Sequence, residues 1–295
     1  MGSHGAPGRG FTLVELLVVI AVVAAMVGVL LPALAGARRQ ARAVVGISNQ
    51  RQVVAAVNAY AADNHERYPD STATITMGGD WNWQEPRMMT ACKSRPGRAH
   101  RSMSGFLRCY IPDASVLFCP SAPRKYRYSQ QSWDAGDLWD NPETSFGGDP
   151  VFGTWCFCWN YVGYLGDGAA PFTGPRTSLG GPRQGSLLLC DYFGFDHHRS
   201  PHAFGSCRKM RRAEITPATE VSAAYWSRRI AYRPPGAKMP NVRLHAGYID
   251  GHVGRYMASE AVPMKVSIAA DGGVPYPDGV GLGPGDFYLP RDGLR

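Results

Sequence analysis

The chain has 295 residues, 44% of them apolar, and a net charge of +8, enough length for one large domain or two small ones with a real core. Its basic residues fall in short scattered groups (Arg38-Arg39, Arg95-Arg98-Arg101, Arg124-Lys125-Arg127, Arg208-Lys209-Arg211-Arg212) with no nucleic-acid motif beside them, so no nucleic-acid partner is expected. No Gly-x-x-x-x-Gly-Lys, Gly-x-Ser-x-Gly or His-Glu-x-x-His run occurs, which sets aside P-loop, serine-hydrolase and zinc-protease chemistry and leaves a non-enzymatic reading.

Residues 1–10 are polar, carry His4 and Arg9, and end in Gly-Arg-Gly. An apolar block then runs from Phe11 to Ala37. It exceeds the roughly 20 residues that span a bilayer core as a helix. No small-x-small site closes it as in a secretory signal. Glu15 is out of place in a plain anchor, because an acidic residue at the centre of a spanning helix costs roughly 2.5–3.5 kcal/mol. Were the chain cut after Gly10, Phe11 would gain an α-amine one helical turn from Glu15, and the two charges could neutralise each other within one chain or between neighbours. Burial of Glu15 then becomes a reason to hold subunits in register. Pro32 lacks an amide proton and removes the backbone hydrogen bond to Gly28, so it marks a soft point in the helix. Flanking charge alone, Arg9 before the block against Arg38, Arg39 and Arg42 after it, points to an outside N-terminus.

The helical pattern continues over residues 36–64. Val44, Ile47, Val54, Val57 and Ala61 recur at helical spacing, while Arg38, Arg42, Asn49 and Arg51 fall largely on other faces. Block and continuation together predict one helix of about fifty residues, roughly 80 Å long. Asp63-Asn64 and Tyr68-Pro69-Asp70 mark its end. The remainder is rich in Gly, Pro and aromatic residues and predicts short antiparallel strands with long loops. The expected fold class is therefore α+β: a long N-terminal α-helix packed on an antiparallel β-sheet body.

Seven cysteines occur, at 92, 109, 119, 156, 158, 190 and 207. In an oxidising compartment most would be bridged; Cys109 and Cys119 are taken as a pair across a short connection. Asp191, Asp196, His197, His198 and His202, with Cys207 beyond, form the best zinc candidate, though their spacing fits no zinc motif. Asp271-Gly272-Gly273 and Asp278-Gly279 form a weak calcium candidate without the carboxylate density of an EF-hand. No cofactor is expected otherwise. Trp81, Trp83, Trp155 and Trp159 are read as core residues of a disulfide-linked sandwich; exposed, they would stack on sugars. Asp250-Gly251 predicts a type I′ turn with positive φ at both residues.

The run Gly10-Phe11-Thr12-Leu13-Val14-Glu15 resembles the processing signal of type IV prepilins and type II secretion pseudopilins. The resemblance implies a prepilin peptidase that cuts after Gly10 and methylates Phe11, and a role for Glu15 in assembly. Pro32 matches a proline found in many pilins. It implies a leader at 1–10, a transmembrane and assembly helix at 11–37, an amphipathic continuation at 38–64 and a periplasmic globular domain at 65–295. The N-terminus would be cytoplasmic, in a single-pass inner-membrane protein that later enters a filament or reaches the cell surface. Partners would be other pilin-like subunits, the peptidase, an inner-membrane secretion platform and the membrane itself. Residues 46–52 with Tyr60, Asp63 and Tyr68-Pro69, then Phe118-Cys119-Pro120-Ser121, Leu187–Asp191 and Tyr248–Val253, are similar to a planctomycete-type subgroup of pseudopilin G-like proteins with a long added body. Many members have Cys where this chain has Gly46. The subgroup's His-x9-Asp-Gly signature is degenerate here: Pro240 occupies the His position, and His245 lies nearby at the wrong spacing. The reading is a structural pseudopilin or minor pilin; its rivals are a membrane-anchored module binding a glycan or polymer through a Trp-rich body, and a membrane-anchored metal-dependent enzyme.

Overall fold

The computed structural model describes residues 11–73, 86–90, 102–121, 128–139, 151–165, 170–181, 185–195, 203–205, 208–209, 243–266 and 287–294. The chain divides into two units, residues 1–44 and residues 45–295. Helix α1 runs Leu13–Asp63 and passes through Pro32. It is long and apolar enough to cross a membrane. None of residues 11–44 is buried, and large apolar side chains point outward all round, from Phe11 and Leu13 to Val29, Leu30 and Leu34. An all-round apolar helix needs lipid or other helices about it.

In the second unit α1 buries Gln50, Val53, Val54, Ala56, Val57 and Ala61. Val54, Val57 and Ala61 agree with the sequence pattern. Ile47 is only half-buried, and Val53 and Ala56 join the face because it meets a broad surface rather than a narrow seam. Val44, in the first unit, is exposed. The helix ends where the sequence predicts. Glu66 N–H donates to the Ala61 carbonyl at 2.8 Å, and His65 and Glu66 take left-handed φ of 55° and 62°. This is the reversal that satisfies the last helical carbonyls, here built without glycine.

The body contains strands β1 (Met88–Thr90), β2 (Val151–Phe152), β3 (Trp155–Phe157), β4 (Val162–Leu165), β5 (Ala170–Thr173), β6 (Leu187–Asp191), β7 (Phe193–Phe195), β8 (Ala203–Gly205), β9 (Arg208–Lys209), β10 (Arg243–Tyr248), β11 (Val253–Met257), β12 (Ala261–Val266) and β13 (Phe287–Pro290). Short helices α2 (Ser104–Leu107) and α3 (Ser129–Ala135) lie between β1 and β2. Their pairings are antiparallel: a two-stranded sheet β1-β2, a four-stranded sheet β11-β10-β6-β3 and a seven-stranded sheet β5-β4-β12-β13-β7-β8-β9. This is the α+β, pilin-like arrangement of helix and sheet expected from the sequence.

All five residues of β6 are buried. Its unbroken apolar run, Leu187-Leu188-Leu189-Cys190, reflects a strand covered on both faces. On one side α1 packs with Trp155, Phe157, Leu189 and the two short helices in one core. On the other, Cys156, Cys190, Leu244 and Ala246 join Phe172, Met264, Tyr288 and Leu289 of the seven-stranded sheet in a second core. Burying each large aliphatic side chain contributes about 1.5–3 kcal/mol.

The β10–β11 connection departs from the expected type I′ turn. Tyr248 N–H donates to the His252 carbonyl at 3.1 Å and Gly251 N–H to the Tyr248 carbonyl at 3.0 Å. Only Gly251 has positive φ, 92°. This is a three-residue loop: a turn closed by a left-handed glycine. Asp250 keeps negative φ because its carboxylate accepts from His252 N (3.1 Å) and Nδ1 (2.6 Å), which ties it to the residue two positions on.

Candidate assembly site

The sequence-predicted assembly residues sit at the start of α1. Thr12 is the residue before the helix. Its backbone N–H donates to Glu15 Oε2 at 2.9 Å and its hydroxyl to the same oxygen at 2.7 Å, while Glu15 N–H donates to Thr12 Oγ1 at 3.3 Å. Helix starts leave four N–H groups unpaired, and a Thr-x-x-Glu box satisfies two of them reciprocally. Glu15 therefore has an intrachain role that the sequence reading missed, although Thr12-Leu13-Val14-Glu15 is a legible capping pattern. Both residues remain exposed, as does Phe11. Gly10 lies outside the described residues. The helix continues through Pro32, and a Cβ at Gly28, one turn earlier, would meet nothing within 4 Å.

In the body, α1 is docked by a buried polar contact. Gln50 Nε2 donates to Asp191 Oδ1 at 2.9 Å. Oδ2 of the same carboxylate accepts the His245 backbone N–H at 2.8 Å and faces His245 Nδ1 at 3.2 Å. Gln50 is 1% exposed and Asp191 2%. One carboxylate thus joins α1, β6 and β10. Buried charge is tolerated only with such hydrogen bonds. His245, at the wrong spacing for the degenerate signature, is held by Asp191. Nearby, Asn58 Nδ2 donates to the Ile249 carbonyl at 3.1 Å, which ties the hairpin loop to the helix, and the Tyr68 hydroxyl donates to Asn58 Oδ1 at 2.7 Å. Gln50 was legible only as a polar residue in an apolar helix face.

Gly247 lets the helix approach. A Cβ there would stand 2.5 Å from Val54 Cγ2 and 2.9 Å from Leu189 Cδ2. A Cβ at Gly46 would lie 3.6 Å from Pro120 Cδ and 4.0 Å from Cys119 Sγ, so two of the segments that carry the subgroup resemblance meet in the body.

The other candidates fare differently. Asp191 is engaged by Gln50 and His245, whereas Asp196, His197, His198, His202, Cys207 and the Asp-Gly tail lie outside the described residues. Among the described residues no group of three or more His, Cys, Asp or Glu is placed to hold a metal. Cys109 is exposed and Cys119 is buried, and both are free thiols in this structure, as are Cys156, Cys158 and Cys190: Cys119 N–H bonds Thr154 Oγ1 at 2.6 Å and its side chain turns inward under Gly46. The described tryptophans, Trp133, Trp139, Trp155 and Trp159, are core residues without a face for a sugar. Trp81 and Trp83 lie outside the described residues.

Comparison with known proteins places the same emphasis on the N-terminus. Residues 8–31 match the prokaryotic N-terminal methylation motif. Over 70 residues the chain is 37% identical to the type IV wide pilus major component PilA4 of Thermus thermophilus, a match that covers 24% of this chain and 53% of that protein. The chain spans about half the length of that curated relative. No solved structure matches. With the methylation motif on a long apolar helix and an antiparallel body behind it, this chain is similar to type IV pilins at its N-terminal segment and carries their N-terminal methylation motif.

Proposed function

We propose that the chain is a pseudopilin or minor pilin of a type II secretion or type IV pilus-like filament, cut after Gly10 and N-methylated at Phe11. Pilin-like proteins are structural subunits rather than enzymes. The observation that carries the reading is Glu15 in a helix apolar on every side, within the methylation motif. Cutting after Gly10 leaves Thr12 and Glu15 in place and adds an α-amine at Phe11 beside the carboxylate. In a packed filament core that amine, of the same chain or of a neighbour, neutralises Glu15. The same helix serves first as an inner-membrane anchor with a cytoplasmic N-terminus and a periplasmic body, then as the filament core. Prepilin peptidase and an inner-membrane assembly platform are the partners this requires. Intact-mass measurement and N-terminal sequencing of native protein should find a chain beginning at methylated Phe11. An uncut chain in cells with active peptidase, or a different mature N-terminus, overturns the reading.

A further inference from the structure

Three thiols are buried in the core between the two larger sheets. Cys156, Cys158 and Cys190 are each 0% exposed. Cys156 on β3 is the cross-strand partner of Cys190 on β6. Cys158 N–H bonds the Leu188 carbonyl at 2.8 Å and Tyr192 N–H bonds the Thr154 carbonyl at 3.2 Å, so residues 154, 156 and 158 are the hydrogen-bonded positions of this pair. The Cys158 thiol lies 4.0 Å from the Cys156 carbonyl oxygen, and all three cysteines belong to one buried cluster with Tyr256. Burial pushes the Cys156 and Cys158 thiols well up, so within the finished core they stay protonated.

Backbone geometry separates the two candidate partners of Cys190. Directly opposed residues in a hydrogen-bonded antiparallel pair have Cα atoms about 5.5 Å apart. That falls within the roughly 4.4–6.8 Å that a disulfide accepts. The diagonal neighbour, Cys158, is at about 7–8 Å, beyond that limit. On the other flank Cys190 is opposed by Ala246 of β10, which offers no sulfur.

We propose that Cys156 and Cys190 are an oxidisable pair that forms a cross-strand disulfide locking β3 to β6, with Cys158 left as a thiol. Formation removes one proton and one electron from each sulfur, makes one S–S bond, and reduces a disulfide of an oxidant to two thiols. The oxidant is a disulfide-bearing thiol oxidoreductase outside the cytoplasm, and in that respect the inference rests on the exported location proposed above. Because the three sulfurs are sealed from solvent in the folded body, oxidation precedes closure of the seven-stranded sheet over them. The lock would hold the strand that carries Asp191, and so the docking contact of α1.

The test uses the full chain, extracted from membranes in detergent with alkylation at lysis and no reductant. Trypsin with chymotrypsin, which cuts after Phe157, separates Cys156 from Cys158. Mass spectrometry should show Cys156 linked to Cys190 and Cys158 alkylated, with the link retained in Cys158→Ala. Location is read separately, by proteinase added to intact spheroplasts. A digested body with Cys190 alkylated, or linked to Cys158, overturns the pairing and leaves the location standing. A protected body overturns the location; refolding the purified full chain with oxidised glutathione then decides the pairing, which fails if Cys190 is still alkylated.

Discussion

Thr12 and Glu15 close a reciprocal cap at the start of α1, so the carboxylate with the greatest expected role in assembly already accepts two hydrogen bonds within its own chain, and the Glu15 backbone N–H donates a third back to Thr12. Charge and cap can be separated. Glu15→Gln keeps a side-chain acceptor for Thr12 and removes the charge. The Phe11 amine of a processed subunit then loses its partner in a low-dielectric core, a loss of roughly 3–5 kcal/mol for a buried pair. Glu15→Gln should insert, be cut normally, accumulate in the membrane and fail to enter filaments. Thr12→Ala, which loosens the cap by about 1 kcal/mol, should still assemble. Following membrane level, cleavage and incorporation of each variant decides the matter. Normal incorporation of Glu15→Gln without any wild-type subunit would refute the pairing.

Docking of α1 on the body should depend on Gln50. Gln50→Ala deletes one hydrogen bond to a buried carboxylate and should lower stability by about 1–3 kcal/mol. Asp191→Ala paired with Gln50→Ala in a double-mutant cycle should show coupling of about 0.5–3 kcal/mol. Denaturant unfolding of the full chain in detergent is the measurement. Additive effects would mean that the contact between Gln50 and Asp191 does no work in docking.

Gly247→Ala should be destabilising for a reason unrelated to helix or strand preference. Its methyl group would enter the space of Val54 and Leu189, and overpacking of that kind costs about 1–3 kcal/mol. Val54→Ala in the same chain should recover part of the loss by vacating the clash. A Gly247→Ala protein as stable as wild type would place the helix farther from β10 than described.

The Asp250–His252 contact carries a pH signature. Slight burial works to raise the Asp250 carboxyl, but hydrogen bonds from the His252 ring and backbone outweigh it and hold the group below its ordinary value of 3.8. A depressed carboxyl adds stability above its unfolded pKa and loses it as pH falls through the folded one. The hairpin tip should therefore stay ordered at neutral pH and loosen only in acid below that ordinary value. Carboxyl carbon shifts followed by NMR would read the midpoint. A midpoint at or above the ordinary value would contradict the contact.

How much of this molecule was legible beforehand depended on the range of the interactions. The apolar block from Phe11 to Ala37, the isolated Glu15 within it and the helix stop at Asp63 are local patterns, set by transfer free energy and by capping, and the sequence alone determined them. The segment Leu187–Asp191 was legible only through its resemblance to the pseudopilin subgroup; its burial on both faces came from the fold. The turn at Asp250-Gly251 was legible as a turn but not as to type, since the side-chain contact with His252 chose the backbone conformation. Only the tertiary structure decided that Gln50, Asp191 and His245, which are up to 195 positions apart, share one buried contact. The same holds for the space that requires Gly247, and for the thiol facing Cys190 coming from Cys156 while Cys109 and Cys119 stay apart. Side-chain partners across such separations are chosen by strand register and by how closely the helix can approach, and neither is written in the periodicity of any one segment.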